Sequence, residues 1–363
     1  MDYTARRATL TRVMSDIDVV ALVPGANLKY FTGLNYHLSE RPIVALISGD
    51  QLSMIVPELE VPQIKVREDL EVRIFAWNDK DGYQGAYNEA VRSLGLHDAV
   101  MGIDDKTMRI FELQGFLDAD PVIRRRAVGT RLLDIRAHKD SGEIEALRQA
   151  VQHTESAFGA LLKWVRPGMT EREIAQKLDS LLVEHGCQGV SFETLVQTGP
   201  NSALPHGNVT DRKLEANDFL LVDFGGRYDG YPADLTRTVC LGTPTVEMQR
   251  IYDTVLAANR AGCAAAGPGI ACGDVDKAAR DVIEAAGYGQ YFIHRTGHGL
   301  GLEVHELPQM ASGVTAKLEV GNVFTVEPGI YVPGLGGVRI EDNVVVTPDG
   351  CEVLSSFRRS LSI

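Results

Sequence analysis

The sequence predicts a mixed α/β (α+β) fold in two domains, residues 1–132 and residues 133–363. The chain has 363 residues, which is more than one hydrophobic core usually serves. Helical and strand-like patterns alternate over the first 132 residues. The remainder contains an internal repeat, because Pro167, Gly168 and Gly186 recur at a constant spacing of 101 residues as Pro268, Gly269 and Gly287.

Short apolar runs and helical patterns define the first domain. We predict strands at Val19–Val23, Ile43–Ile47 and Leu52–Val56, and helices at Thr4–Met14 and Gly85–Leu94. Such alternation is typical of a sheet covered by helices. The basic segment 123–140 is expected to join the domains with little helix, and Arg124–Arg126 are expected on a solvated or subunit-facing surface.

The repeat predicts that the second domain consists of two pseudo-symmetric halves around a central cleft. Each half has a long helical pattern, a Pro-Gly break and a second helix that ends at glycine. The spacings of Asp140 with Glu143, and of Thr170 with Glu173, predict capping boxes at two helix starts.

Composition excludes several classes of protein. The chain has 36 Lys and Arg against 49 Asp and Glu, a net charge of −13, which disfavours nucleic-acid binding. Its five cysteines are odd in number and form no C-x-x-C pair, as expected of reduced thiols in a cytoplasmic protein. No apolar run approaches the ~20 residues of a membrane span, and the N-terminus lacks the apolar stretch of a secretory signal.

A first predicted hairpin brings two aspartates together. Asp229-Gly230 between apolar-rich runs is a strong signal for a two-residue turn. With that turn, Asp223 lies opposite Thr236, and Asp234 lies two residues from Thr236. Because side chains alternate along a strand, Asp223 and Asp234 project from the same face.

A second predicted hairpin does the same for two glutamates. Glu327 and Glu341 are equidistant from Gly334 in the loop PGLGG, so a hairpin closed there places them opposite each other. Like charges directly opposed destabilise a sheet, and buried carboxylates are costly unless they are paired or bind metal. His298 lies between the two hairpins in the sequence.

These side chains form a plausible donor set for two divalent cations. Four carboxylates balance the charge of two such ions, between which a bridging hydroxide is stable at neutral pH. The oxygen-rich set favours Mn²⁺ or Co²⁺, with Zn²⁺ as an alternative. Another interpretation places the acids on solvated strand faces or in ion pairs with Arg237 and Arg339. The predicted ligands are Asp223, Asp234, His298, Glu327 and Glu341.

The motifs around these residues resemble a known family. LLVDFGGRYDGYPADLTRTV, HRTGHGLGLEVHE, VFTVEPGIY and GVRIEDNVVV, with NLKYFTGL and ERPIVALI in the first domain, resemble metallopeptidases of the prolidase, aminopeptidase P and methionine aminopeptidase group. That group shares the pita-bread fold with creatinase. The resemblance spans essentially the whole chain. It implies a creatinase-like N-terminal domain followed by a pita-bread catalytic domain.

The resemblance also implies roles. Asp223 would serve one metal, His298 and Glu327 the other, and Asp234 and Glu341 would bridge both. The implied activity is hydrolysis of Xaa-Pro bonds, in dipeptides or at the N-terminus of short peptides, by a metal-bridging hydroxide. The expected catalytic residues are His206, His305 and Glu327, and the expected substrate contacts are His206, His294, His305 and Arg339. Similar proteins use the N-terminal domain in subunit contacts, so we expect a homodimer.

Three points stay open in the sequence. Several family members place an arginine four residues after the histidine of the HE motif, where this chain has Gln309, so dipeptidase and aminopeptidase are not separated. A second possible function is that of a metal-free amidinohydrolase like creatinase. A third possible function is that of a non-catalytic binding module with the same fold.

Overall fold

The computed structural model describes residues 1–362. The chain forms two compact units, Met1–Arg136 and Ala137–Ile363. The predicted domain boundary after residue 132 lies inside one helix, Gly129–Ala137.

The first unit is built on one sheet with helices. Its elements, in chain order, are α1 (Tyr3–Val13), β1 (Val19–Leu22), α2 (Ala26–Thr32), β2 (Val44–Ser48), β3 (Gln51–Pro57), α3 (Val61–Lys65), β4 (Val72–Trp77), α4 (Gln84–Ser93), β5 (Val100–Ile103), α5 (Ile110–Ala119), β6 (Arg124–Ala127) and α6 (Gly129–Ala137). The strand order is β4-β3-β2-β1-β5-β6, with β2 antiparallel to both neighbours. All five elements predicted for this part of the chain are confirmed, with ends shifted by at most one residue.

The basic segment before the second unit differs from its prediction. It was expected to contain little helix, but it forms β6 and the nine-residue helix α6. Leu132 and Ile135 are buried, as is Val128 just before the helix, so this helix has a short apolar face. The prediction failed because the many arginines obscured that short apolar pattern.

The second unit contains the remaining helices and four small sheets. Its elements are α7 (Ser141–Trp164), α8 (Glu171–Glu184), β7 (Leu195–Thr198), β8 (Phe219–Phe224), β9 (Arg227–Tyr228), β10 (Tyr231–Pro232), β11 (Leu235–Cys240), α9 (Val246–Ala265), α10 (Cys272–Ala285), β12 (Gly297–Gly299), β13 (Glu306–Met310), β14 (Val323–Val326), β15 (Gly329–Val332), β16 (Gly336–Arg339), β17 (Asp342–Thr347) and β18 (Gly350–Val353). The larger sheets have the orders β11-β8-β7 and β13-β12-β14-β17-β18.

The predicted repeat is present in these helices. Both α8 and α10 have 14 residues, and a Pro-Gly turn precedes each of them. Both predicted capping boxes form, with Asp140 accepting from the Glu143 amide at 2.9 Å and Thr170 accepting from the Glu173 amide at 3.1 Å. In the second half, α9 and α10 pack on the strands through buried residues that include Ile251, Val255, Ile283, Ile330 and Val338.

Both predicted hairpin registers are confirmed. Thr236 pairs with Asp223 across β8 and β11, and the turn residues Asp229 and Gly230 have φ of 49° and 82°. Left-handed backbone at both positions is the requirement of the type I′ turn. The second hairpin pairs Val326 with Asp342 and Gly329 with Arg339, which is the register predicted from Gly334.

The strands of both hairpins are interrupted, and the predicted acidic ligands occupy the interruptions. Asp234 lies between β10 and β11, Glu327 between β14 and β15, and Glu341 between β16 and β17. Asp223 lies within β8. The paired segments on either side therefore fix the position of each acid, although three of the acids are outside the paired strands.

Two observations bear on the cellular predictions. All five cysteines are free thiols, as the sequence predicts. None of the helices within residues 1–362 combines the length and the apolar content needed to cross a bilayer.

The close approach of the chain at Gly225 predicts a stability effect. A Cβ added at Gly225 would overlap the carbonyl oxygen of Ala233, beside Asp223 and Asp234. We expect Gly225→Ala to lower the free energy of unfolding by about 1–3 kcal/mol, the usual cost of overpacking. Urea unfolding should be compared with Gly267→Ala, where the nearest atom lies 3.6 Å from the added Cβ. Equal midpoints for the two variants would contradict this account.

Candidate metal centre

One cavity of the second unit, about 560 Å³ in volume, contains every site residue predicted from the sequence. The first half contributes Asp223 and Asp234 from its hairpin and His206 from the loop after β7. The second half contributes the other six. These are His294, His298, His305, Glu327, Arg339 and Glu341. The central cleft predicted between two halves is therefore the place where the chemistry-bearing side chains meet.

The centre of this cluster is compact enough for shared metal ligation. Donor atoms of Asp234, His298 and Glu341 all lie within 4.8 Å of one another. His298 Nε2 lies 3.3 Å from Glu327 Oε1 and 3.6 Å from Asp234 Oδ2. The other ring nitrogen, Nδ1, donates to the Gly299 carbonyl at 3.2 Å, which leaves the Nε2 lone pair facing the carboxylates.

Arg339 holds two of the acids in place. Its guanidinium is buried and donates to Asp223 Oδ2 at 2.6 Å, to Thr236 Oγ1 at 3.0 Å and to the Tyr331 hydroxyl at 2.9 Å. Thr236 in turn donates to Glu341 Oε2 at 2.6 Å. Arg237, the other candidate partner, pairs instead with Asp342 at 2.9 Å.

The acids repel one another, and Asp234 and Glu341 are buried. Burial first, and neighbouring carboxylates second, hold the pKa of Asp234 and that of Glu341 well above their usual range. Burial likewise raises the pKa of Glu327 to about 7, although Arg339 opposes the shift. One carboxylate oxygen, Asp223 Oδ1, is buried without a hydrogen-bond partner among the described residues. The set offers oxygen donors, an excess of negative charge and the unused lone pair of His298 Nε2. Divalent cations would bind these donors and neutralise the charge, so these residues fit such ions.

Three histidines of the cavity, His294, His298 and His305, favour the neutral form. Burial lowers the pKa of His294 to about 4 and that of His298 to about 3. The pKa of His305 is lowered by burial and then by the charge of Arg295. Neutral imidazole is the form that binds a metal ion. His294 uses both nitrogens, donating from Nδ1 to the Arg295 carbonyl at 2.7 Å and accepting from the Tyr331 hydroxyl at 2.9 Å.

Sequence reasoning missed three contributors to this site. Arg295 lines the cavity, and Tyr331 connects Arg339 to His294. Lys139 is the third. Its fully buried ammonium lies 3.2 Å from Glu306 Oε2, and Glu306 Oε1 accepts from the backbone of Glu303. This pair anchors the loop that carries His305. Arg295 and Glu306 could have been suspected from the sequence, because they lie within the HRTGH and HE motifs. Lys139 is far from those motifs in the chain, and no local pattern indicates that it belongs to the site.

Comparisons with known proteins identify the family of this chain. Residues 145–348 match metallopeptidase family M24, and residues 6–125 match the creatinase/prolidase N-terminal domain. The chain belongs to metallopeptidase family M24. The predicted family, the pita-bread fold class and the metallopeptidase class of enzyme are thereby confirmed, and M24 membership implies divalent metal cofactors.

Similar proteins match this M24 chain over nearly all of its length. It is 34% identical over 351 residues to a Xaa-Pro dipeptidase of Pyrococcus horikoshii, covering 96% of this chain and 95% of the relative. A prolidase structure from Thermococcus sibiricus matches with a TM-score of 0.92 at 33% identity, covering 100% of this chain and 99% of the other. An X-Pro aminopeptidase from Thermotoga maritima matches with a TM-score of 0.87 at 33% identity, covering 97% and 100%. Both dipeptidase and aminopeptidase names therefore occur among similar proteins.

The raised carboxyl pKa values predict proton release on metal binding. Near pH 6 the metal-free M24 protein should hold protons among Glu327, Asp234 and Glu341, whereas His294 and His298 are already neutral. A divalent ion requires ionised carboxylates, so about one proton or more per chain should be released at pH 6. The number should fall as the pH rises above the pKa of Glu327. Titration of Mn²⁺ into weakly buffered metal-free protein with a pH indicator measures it.

Two comparisons complete that experiment. Glu327→Gln, at saturating Mn²⁺, should release fewer protons than the wild type because one titrating carboxyl has been removed. Metal binding at pH 6 without proton release would mean that the carboxylates are already ionised, which contradicts the assigned pKa directions.

Proposed function

We propose that this chain is a dinuclear metal-dependent exopeptidase that hydrolyses Xaa-Pro bonds, either in dipeptides or at the N-terminus of short peptides. The observation that carries the proposal is the meeting of Asp223, Asp234, His298, Glu327 and Glu341 in one cavity. The names of the similar Pyrococcus, Thermococcus and Thermotoga proteins support Xaa-Pro bonds as the substrate class.

The donor set supports two ions sharing ligands. Asp223 would hold one ion, His298 and Glu327 the other, and Asp234 and Glu341 would lie between them. Mn²⁺ or Co²⁺ suits the oxygen-rich set best, and Zn²⁺ is the alternative. When bound, the ions supply a water nucleophile of lowered pKa and an electrophile for the scissile carbonyl.

The protein's own side chains would do the rest. His305, at the edge of the cavity and in edge-to-face contact with His298 at 4.1 Å between ring centroids, would donate to the substrate oxygen as negative charge develops. Glu327, which would also hold a metal ion, would deliver a proton to the leaving nitrogen. His206 would hold the substrate near the leaving side. His294 and Arg339, which share the Tyr331 hydroxyl, would line the substrate site.

Substrate comparisons test the function. Mn²⁺-loaded protein should cleave Ala-Pro faster than Ala-Ala, because the site is proposed to accept a tertiary amide in its trans form. It should cleave Ala-Pro-Ala only with a free N-terminus, since the free α-amino group is expected to be received by the acidic ligands together with a metal ion. Faster cleavage of Ala-Ala would defeat the proline assignment. Equal cleavage of the N-acetylated peptide would defeat the exopeptidase assignment, and creatine turnover without metal would indicate an amidinohydrolase.

We expect metal analysis to find two divalent ions per chain in metal-loaded protein. Asp234→Asn should lose both or nearly both, because the proposed shared ligand loses its charge. Asp229→Asn is a matched control at the hairpin turn, where asparagine suits the left-handed backbone. Wild-type metal content and rate in Asp234→Asn would show that the ligand assignment is wrong.

His305→Ala should retain metal and fold but lose most of kcat. Loss of one transition-state interaction of about 3 kcal/mol corresponds to about a hundredfold in rate. Steady-state kinetics with Ala-Pro, alongside His97→Ala in the first unit, measures the effect. Loss of metal would instead make His305 a ligand, and a raised KM with unchanged kcat would limit it to substrate binding.

A homodimer and a cytoplasmic location complete the proposal. The first unit holds no candidate catalytic residue although it covers over a third of the chain, which suits a role in subunit contacts. The five free thiols suit a reducing compartment. Light scattering at micromolar concentration tests the dimer, and a strict monomer would remove it.

A further inference from the structure

The first residue of α8 is a glutamate that has lost all contact with solvent. Thr170 caps this helix, and Glu173 completes the capping box from an exposed position. Glu171, in contrast, has 0% of its surface exposed. A buried carboxylate is costly unless hydrogen bonds or a counter-charge compensate it, so the groups that surround Glu171 are expected to be specific partners.

Glu171 accepts hydrogen bonds from two separate segments of the chain. Its Oε1 accepts from the Thr198 amide at 2.8 Å, from the Thr198 hydroxyl at 3.0 Å and from Asn201 Nδ2 at 3.0 Å. Its Oε2 accepts from the Thr210 amide at 2.9 Å and from the Thr210 hydroxyl at 2.6 Å. Hydrogen bonds from N–H groups to a carboxylate are charge-assisted and about twice as strong as neutral ones. The carboxylate therefore binds both segments firmly.

These two segments are the ends of the loop that carries His206. Thr198, the last residue of β7, is the leading end of the loop, and Thr210 is its trailing end. Residues 205–209 line the cavity, with His206 among them. One carboxylate thus ties both ends of this loop to the start of α8.

The tip of the loop is fixed by few contacts of its own. Leu204, His206 and Asn208 are exposed. The Gly207 amide donates to the Leu204 carbonyl at 3.2 Å, which is a bond within the tip. A Cβ at Gly207 would overlap the side-chain amide of the fully buried Gln197, so the loop lies in close contact with Gln197 on that side. The position of His206 therefore depends on where the ends of the loop are held.

The two ends differ in how much they depend on Glu171. The leading end has a further anchor, because Ser202 Oγ accepts from the Gly337 amide at 2.8 Å. The trailing end is bonded to the first turn of α8, where the Thr210 carbonyl accepts from the Arg172 amide at 3.2 Å and the other two bonds are to Glu171. Loss of the carboxylate should therefore loosen the trailing end most.

We infer that Glu171 is a positioning residue, which holds His206 at the wall of the cavity by joining the two ends of its loop. The inference rests on the proposed function, in which His206 holds the substrate near the leaving side, and it adds the group that places this imidazole. In the described part of the chain, the cavity lining does not include Glu171, so its effect reaches the substrate through His206. A misplacement of about 1 Å can reduce a rate about a hundredfold.

Glutamine in place of Glu171 can satisfy only one end of the loop. The two carboxylate oxygens each accept from a backbone amide, at Thr198 and at Thr210. Glutamine has one oxygen and one NH₂ group, so its NH₂ group would face one of these two N–H donors. Glu171→Gln thus keeps the size of the side chain and removes the link between the two ends.

Kinetics of Ala-Pro hydrolysis should compare metal-loaded wild type, Glu171→Gln, His206→Ala and the double variant. Glu171→Gln should lower kcat/KM about 10- to 100-fold and should change the same constant, KM or kcat, that His206→Ala changes. In the His206→Ala background, Glu171→Gln should add less than about threefold, because the group that it positions is absent. Metal content should match the wild type in all variants.

Glu155→Gln is the matched control. Glu155 is a buried carboxylate of α7 that accepts from the backbone amides of Ser356 and Phe357, each at 2.6 Å. It therefore joins a helix to a segment through the same kind of bond, but at the C-terminal end of the chain. Its kcat/KM should stay within about threefold of the wild type, even where its melting temperature falls.

Thr210→Val is the second variant, to be used where Glu171→Gln does not fold. It removes the hydroxyl bond to Glu171 and leaves the backbone bonds of Thr210 in place. It should lower kcat/KM about three- to tenfold, since one of the bonds at the trailing end is lost. That loss should again disappear in the His206→Ala background.

Amide hydrogen exchange tests the loop without reference to activity. In Glu171→Gln the peptide that covers residues 199–211 should exchange about tenfold faster than in the wild type, because its ends open more easily. Glu155→Gln should leave the exchange of this peptide unchanged. Unchanged exchange in Glu171→Gln would overturn the inference.

Four kinetic results would overturn the inference while the Xaa-Pro function stands. These are losses that multiply in the double variant, unchanged kcat/KM in Glu171→Gln, a loss in Glu171→Gln without one in His206→Ala, and an equal loss in Glu155→Gln. Failure of the metal-loaded wild type to cleave Ala-Pro would overturn the proposed function. Hydrogen exchange alone would then decide the inference, which faster exchange confined to Glu171→Gln supports and equal exchange in all variants contradicts.

Discussion

The close approach of four carboxylates in one buried cavity is the constraint on which the second unit depends. Each buried charge costs several kcal/mol unless it is compensated, and like charges at this distance add repulsion. The pKa values of Asp234, Glu327 and Glu341 are raised accordingly. Arg339 compensates only part of this charge, through its pair with Asp223. The fold therefore holds a geometry that is unfavourable on its own and becomes favourable with bound cations.

Rigid pairing between the two hairpins maintains that geometry. The Glu341 amide donates to the Thr236 carbonyl at 3.1 Å, and the Arg339 amide donates to Thr238 Oγ1 at 3.2 Å. Asn343 exchanges hydrogen bonds with the backbone of Asp234. These bonds join the acids of the first half to those of the second, so neither pair can withdraw from the other without breaking buried hydrogen bonds. Such pre-organisation is what a site must have when its ligands repel one another.

The sequence was most informative where local rules decide the structure. Turn chemistry at Asp229-Gly230 and the symmetry about Gly334 gave both registers, and period-two alternation then placed the acids. The helix Gly129–Ala137 was missed because its apolar face is short and rich in arginine. The roles of Lys139 and Arg295 could not be predicted locally, because they depend on tertiary packing. The charged groups of a cavity come from segments that are far apart in the chain.

The hairpin geometry also limits how such a chain can change in length. Because side chains alternate faces, one residue inserted between Asp223 and the turn would point this carboxylate out of the cavity, and two would displace it by about 6.6 Å. At the tip of the second hairpin, in contrast, a Cβ at Gly334 would meet open space. Insertions and deletions are thus compatible with the tip of the second hairpin and incompatible with the segments between tip and ligand, so the number of residues in those segments is itself part of the metal site.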